Sequence, residues 1–139
     1  MAGEHVSTPE ITIAIPYYAN RAYLLEAVAS VRAQDDPRWR LVVLDDAGPE
    51  PVDAEIAALE DPRITLIRND VNLGLAGNWN ACVERAETPW VALLHADDRL
   101  LPGYVDSILD ATRRHPEADA IFTDAAVIDG AGRSRRSLP

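Results

Sequence analysis

The chain has 139 residues, a formal net charge of −10, a single cysteine (Cys82) and no lysine, its 13 basic residues all being arginine. That length suits one compact domain, and the missing lysine excludes a Walker-type phosphate loop, a Schiff-base lysine and a lysine-dependent receiver switch. One cysteine excludes an internal disulfide, and an acidic chain lacks the clustered positive field that a nucleic-acid partner requires.

Residues 1–10 are polar and acidic and read as a flexible leader with no targeting or membrane character, so a cytoplasmic protein is expected. Ile11–Ile15 is a β-rich apolar run ending at Pro16, the pattern of a buried strand. Leu24, Leu25, Val28 and Val31 then recur at helical spacing, with Asn20 placed as an N-cap. Leu41–Leu44 is a second strand, closed by Asp45-Asp46-Ala47-Gly48-Pro49. Val52, Ile56 and Leu59 give a weaker helical pattern, and Ile64–Ile67 makes a third strand.

Asn72-Leu73-Gly74 breaks the chain before a helix with Trp79, Cys82, Val83 and Ala86 on one side. Cys82 on that apolar side reads as a buried small hydrophobe, and Trp79 and Trp90 read as core. Trp90–Leu94 is a fourth strand running into His95-Ala96-Asp97-Asp98; Val105, Ile108, Leu109 and Thr112 mark another helix, and Ala120–Phe122 a fifth strand. His5 and His115 read as surface residues, and Arg133, Arg135 and Arg136 as a solvated tail.

Strands alternating with helices, most strands apolar on both faces, imply an α/β fold: a mostly parallel, Rossmann-like sheet covered by helices on each side. Ligands of such sheets bind beyond the carboxyl ends of the strands. Those ends carry Pro16-Tyr17-Tyr18, Asp45-Asp46 and His95-Ala96-Asp97-Asp98. No G-x-G-x-x-G turn follows the first strand, which removes the main support for a dinucleotide cofactor. Tyr18 can stack on a base, an acid after the second strand can accept from a base or ribose donor, and acids after the fourth can hold a divalent cation against a diphosphate. Plainer roles stand beside these: Asp45 and Asp46 suit turn chemistry, Asp97 and Asp98 suit the start of the following helix, and Tyr18 suits packing.

Four segments in order, Ile-Ala-Ile-Pro-Tyr-Tyr, Leu-Val-Val-Leu-Asp-Asp, Asn-Leu-Gly-Leu-Ala-Gly-Asn-Trp-Asn and Leu-Leu-His-Ala-Asp-Asp-Arg-Leu-Leu-Pro, carry a resemblance to a known family. From about Ile11 to Asp129 the chain resembles the nucleotide-binding half of family 2 glycosyltransferases of the GT-A type. The resemblance implies transfer of a sugar from a UDP-, GDP- or dTDP-linked donor, with Mg²⁺ or Mn²⁺ and inversion, to an acceptor hydroxyl in polysaccharide or cell-envelope synthesis. By position it assigns Pro16 and Tyr18 to the base-binding turn, Asp46 to the base edge, and Asn78 and Asn80 to the donor pocket. Asp97 takes the metal, flanked by Asp98. His95 stands where the family's D-x-D motif has its first acid, and a neutral imidazole can still donate or accept a hydrogen bond there.

The expected organisation is a leader over 1–10, the donor-binding part over 11–129, and a tail or truncation point over 130–139. No residue here matches the family's general base, which lies downstream. The alternative reading is a truncated, non-catalytic nucleotide-binding module completed by a partner. Exposed apolar surface on such a half-domain would favour self-association, and a lipid-linked acceptor would bring the protein to the inner membrane face.

Overall fold

A computed structural model of the chain describes residues 7–138. Expectations for residues 1–6, His5 among them, for Pro139 and for the side chain of Arg136 lie outside the described residues. The chain divides into two compact units, Met1–Leu109 and Asp110–Pro139.

The first unit is built on a four-stranded, wholly parallel sheet in the order β3-β2-β1-β4. Its strands are β1 (Ile11–Tyr17), β2 (Trp39–Asp45), β3 (Ile64–Arg68) and β4 (Trp90–Leu93). The two central strands are buried along nearly their whole length, which is why their sequences read as continuous apolar runs rather than alternating ones. The edge strands β3 and β4 are half-exposed, and Val91 and Leu93 keep over a third of their surface in solvent.

Helix α1 (Arg21–Arg32) buries Leu24, Ala27, Val28 and Val31, the spacing of one helical face. The short α2 (Asp53–Ala57) buries Ile56 beneath β3. Helix α3 (Gly74–Glu84) crosses β1, β2 and β4 and seats Cys82 against Ala14 and Leu44. Val83, expected on the buried side of α3, is about half exposed, because only the stripe of Asn78 and Cys82 reaches the interior. Helix α4 (Tyr104–Arg114) buries Val105, Ile108 and Leu109, as its periodicity predicts. Among the described residues no helix is long and apolar enough to cross a membrane.

Two Asp-Pro-Arg triplets lead into β2 and β3. In each, the Arg backbone N–H and guanidinium donate to the Asp two residues earlier: Arg38 to Asp36 and Arg63 to Asp61. The Arg carbonyls then take the opening rungs of the sheet, Arg38 from Glu10 N–H at 2.8 Å and Arg63 from Leu41 N–H at 2.9 Å. Arg63 also stacks on the buried Trp39 ring at 3.8 Å. These rungs, one at each clip, open the register that sets Ile13 level with Leu41 and Ile15 level with Val43, all four fully buried.

Asn20 stands at the N-cap position of α1 but does not act as the expected cap. It adopts a left-handed conformation (φ 69°) and its side chain makes no cap hydrogen bond. The Glu50 carboxylate takes that role from another loop, accepting from the N–H groups of Asn20 at 3.2 Å and Arg21 at 3.3 Å. A carboxylate suits that position because the first N–H groups of a helix are unpaired and carry partial positive charge.

The second unit ends in a hairpin of β5 (Ala125–Ile128) and β6 (Ser134–Leu138), antiparallel. The expected strand at Ala120–Phe122 does not form, and Phe122 is 91% exposed. A three-residue apolar run becomes a strand only where a neighbour takes its hydrogen bonds. The local pairing is instead set by the turn after Ile128, where Asp129 accepts from Ala131 and Arg133 N–H and Gly132 takes φ +77°. Ser134–Leu138, within the stretch read from sequence as a tail, is thus a paired strand.

Candidate functional site

Parallel pairing sends the carboxyl ends of β1, β2 and β4 to one edge of the sheet, with Tyr17 level with Asp45 and Leu94 N–H bonded to the Ala14 carbonyl. The residues that follow these strands meet there. Pro16 lies in the last turn of β1 opposite Leu44, and Tyr18, just past the strand, is 53% exposed with its ring free to meet a ligand. The loop after β2 runs directly beneath it. Asp46 N–H donates to the Tyr17 carbonyl at 2.8 Å, and Gly48 approaches so closely that a Cβ there would lie 1.8 Å from the Tyr18 carbonyl oxygen. The Tyr17 hydroxyl donates to the Glu50 carbonyl at 2.7 Å, and burial, reinforced by the Glu50 carboxylate, raises its pKa and keeps that donor protonated.

Both acids after β2 are buried, and they are used differently. Asp45 accepts from Gly48 N–H at 2.9 Å and pairs with Arg68 at the end of β3. Asp46, only 4% exposed, accepts at a single oxygen, Oδ1, from the Asn69 amide at 2.9 Å and from Leu73 N–H at 2.8 Å. Asn72 closes the loop by donating to the Asp46 carbonyl at 3.0 Å. The carboxylate is therefore aimed by two residues and its backbone held by a third, which leaves Oδ2 as its second acceptor.

Asn78 is buried on α3, donates to the Leu44 carbonyl and accepts from Asn69, both at 3.0 Å. Its amide is engaged inside the protein, where it orients Asn69 and through it Asp46. Asn80, two residues on and so about 200° round the helix, is exposed and lies on another face from Asn78. The two asparagines are thus not brought together.

After β4 the chain turns at His95–Asp98, with Asp98 N–H donating to the His95 carbonyl at 3.0 Å. The His95 ring is exposed and meets the Trp79 indole edge-on, with centroids 4.9 Å apart. Trp79 is half-buried, and its Nε1 is buried without a hydrogen-bond partner. Asp97 and Asp98 are exposed, and no hydrogen bond or ion pair occupies their carboxylates. Among the described residues no three His, Cys, Asp or Glu side chains form a metal cage. The chemistry of the donors fits a cation of the Mg²⁺ type, which takes one or two carboxylates and fills its other positions with water and phosphate oxygens.

Sequence reasoning passed over Asn69 and Arg68. Arg68 ends β3 and Asn69 follows it, and the strand-end rule applied to Ile64–Ile67 points to both. Two clefts, of about 400 and 310 Å³, lie elsewhere and hold none of the expected site residues.

A family model described as glycosyl transferase family 2 matches residues 12–138. The succinoglycan biosynthesis protein ExoO of Rhizobium meliloti is 34% identical over 133 residues, which cover 94% of this chain and 36% of that protein. Among solved structures, TarS of S. aureus in complex with UDP-GlcNAc superposes with a TM-score of 0.69 at 20% identity, over 77% of this chain and 32% of that one. A mannosyltransferase from Pyrobaculum calidifontis, solved with GDP-Man and Mn²⁺, gives a TM-score of 0.59 at 23% identity, over 67% of this chain and 29% of that one. The chain spans about a third of the length of each of these proteins.

Proposed function

The chain belongs to glycosyl transferase family 2, and from that premise we propose that residues 11–129 bind a nucleotide-diphospho-sugar with a divalent cation and serve sugar transfer to an acceptor hydroxyl, with inversion. The observation that carries this reading is the meeting of Tyr18, Asp46 and the His95–Asp98 turn at one end of a parallel sheet.

In this proposal Tyr18, presented by Pro16, stacks on the base, and Asp46 Oδ2 accepts from the base edge while Oδ1 stays bound to Asn69 and Leu73. Asn78 acts from beneath the pocket by orienting Asn69, and Asn80 contributes from its exposed face. His95, held edge-on by Trp79, offers a ring nitrogen to the donor. Asp97 would hold Mg²⁺ or Mn²⁺, with Asp98 beside it. A cation held there would supply positive charge to offset the diphosphate and the charge that grows on it as the sugar leaves. A chain of net charge −10 without lysine has special need of that neutralisation. The Mn²⁺ held with GDP-Man by the Pyrobaculum enzyme supports the metal. UDP-GlcNAc on TarS supports the donor class, and the succinoglycan relative supports polysaccharide synthesis. We place that work in the cytoplasm, at the inner membrane face where the acceptor is lipid-linked.

Calorimetry with UDP, GDP and dTDP, each with and without Mn²⁺, tests the reading. One nucleotide is expected to bind in a Mn²⁺-dependent way, and Asp97→Ala is expected to remove the Mn²⁺ dependence while leaving the fold intact. Absence of binding by all three, or unchanged affinity in Asp97→Ala, refutes it.

A further inference from the structure

The carboxylates of Asp97 and Asp98 are held by nothing of their own, so whatever places them acts through the backbone on either side. On one side that is β4, whose last rung is Leu94 N–H to the Ala14 carbonyl at 3.0 Å. On the other it is α1. Glu26, Ser30 and Gln34 stand at intervals of four along α1 and its C-terminal end, so they form one polar line. That line meets the segment after the acid turn residue by residue. Glu26 faces the Arg99 guanidinium at 3.7 Å. The Ser30 hydroxyl accepts from Leu100 N–H at 3.0 Å while donating to the Ala27 carbonyl at 2.7 Å. Gln34 donates to the Leu101 carbonyl at 2.7 Å and accepts from Val105 N–H at 2.9 Å. Asp35 N–H adds a bond to the Pro102 carbonyl at 2.9 Å.

Gln34 is 9% exposed, and its amide is used at both ends. Burying the Gln34 amide is costly unless every polar atom is partnered, and the half-buried Ser30 hydroxyl adds a fixed bond beside it, so the line favours one register of the 99–105 segment over others. Between this lock and the Leu94 rung lie only His95, Ala96, Asp97 and Asp98, closed by the Asp98 N–H bond to the His95 carbonyl and by the His95 ring against Trp79. We propose that Glu26, Ser30 and Gln34 are positioning residues that set the place of the Asp97–Asp98 turn, and through it the affinity for the divalent cation. The metal consequence rests on the function proposed above; the placement of the turn does not.

The test uses Ser30→Ala, Gln34→Met and the hydroxyl-keeping Ser30→Thr in the full chain. Amide hydrogen exchange on the unliganded protein is read at Asp98, Leu100 and Val105, with the β1 and β2 amides as internal reference. Ser30→Ala and Gln34→Met are expected to speed exchange at Asp98 about tenfold, as loss of one hydrogen bond implies, with Ser30→Thr close to wild type. The Mn²⁺ enhancement of nucleotide binding is expected to shrink about fivefold in the first two variants, with metal-free nucleotide affinity unchanged. Unchanged exchange at Asp98 overturns the proposal. So does full Mn²⁺ enhancement despite faster exchange, or an equal fall in metal-free affinity, either of which makes the lock a fold anchor only. If wild type itself shows no Mn²⁺ enhancement, the donor-site function falls instead, and exchange at Asp98 decides the positioning by itself.

Discussion

Gly48 is the point where two loops of the candidate site touch, and replacing it with alanine tests that contact directly. The added Cβ would lie 1.8 Å from the Tyr18 carbonyl oxygen, where real Cβ contacts essentially never fall below 3.0 Å. The loops after β1 and β2 must therefore move apart by about 1 Å or more, since the obstacle is backbone and has no rotamer to yield. That movement breaks the 2.8 Å bond from Asp46 N–H to the Tyr17 carbonyl. Overpacking of this kind costs about 1–3 kcal/mol and the lost hydrogen bond about 1 kcal/mol, for a total of about 2–4 kcal/mol. For a domain of this size that is a fall in Tm of roughly 8–16 °C. Gly103→Ala serves as the control, because a Cβ there meets nothing within 4 Å and its effect on Tm should be slight. Gly74→Ala lies between them: it has open space but a φ of +74°, which costs about 1 kcal/mol. Thermal unfolding of the three variants should rank them in that order, with Gly48→Ala also losing nucleotide affinity as Tyr18 shifts. A Gly48→Ala protein within about 2 °C of wild type would refute the close approach of the two loops.

The remaining predictions concern charge and a thiol. The Arg38 and Arg63 guanidiniums hold the Asp36 and Asp61 carboxyls below their ordinary 3.8. Folding therefore favours the ionised forms, and the stabilisation is complete above about pH 4 and lost as pH falls through the lower folded values. Asp36→Asn/Asp61→Asn should be less stable than wild type by about 2–4 kcal/mol at pH 7, with urea curves converging towards pH 2, and a constant gap across that range would contradict the clips. Burial pushes the Cys82 thiol up to about 11, so at pH 8 it stays protonated inside α3. Alkylation should be slow in the folded protein and fast in urea, and prompt labelling of the native protein would show that the α3 packing is open.

The parts of the fold legible in the sequence are those in which neighbours along the chain share one environment. Ile11–Ile15 and Leu41–Leu44 read as strands because both faces are buried, and Val105, Ile108 and Leu109 read as a helix because one face is. Long-range polar pairing was not legible. Glu50 caps α1 from thirty residues away, Asn69 steadies Asp46 across twenty-three, and Gln34 reaches Leu101 across sixty-seven. No periodicity records such bonds, because a single side chain satisfies each of them. Asn20 misled for the same reason: its residue type suits a cap, but a distant carboxylate already occupied the helix end. Ala120–Phe122 misled because apolar content is only half of what a strand requires. Tyr18, Asp46 and the acid turn were traceable by the strand-end rule, which depends on topology rather than on contacts.

The Asp-Pro-Arg clips divide the labour between the two ends of the sheet. Pairing two parallel strands closes a long stretch of chain, whereas each clip closes only two residues, so its own entropic cost is small. The carbonyls of Arg38 and Arg63 accept the rungs at the amino-terminal edge of the sheet. Tyr18, Asp46 and the acid turn stand at the opposite, carboxyl edge, so the contacts that anchor the strands and the residues of the candidate site are kept apart, and the site side chains are left with no part in holding the strands' starts.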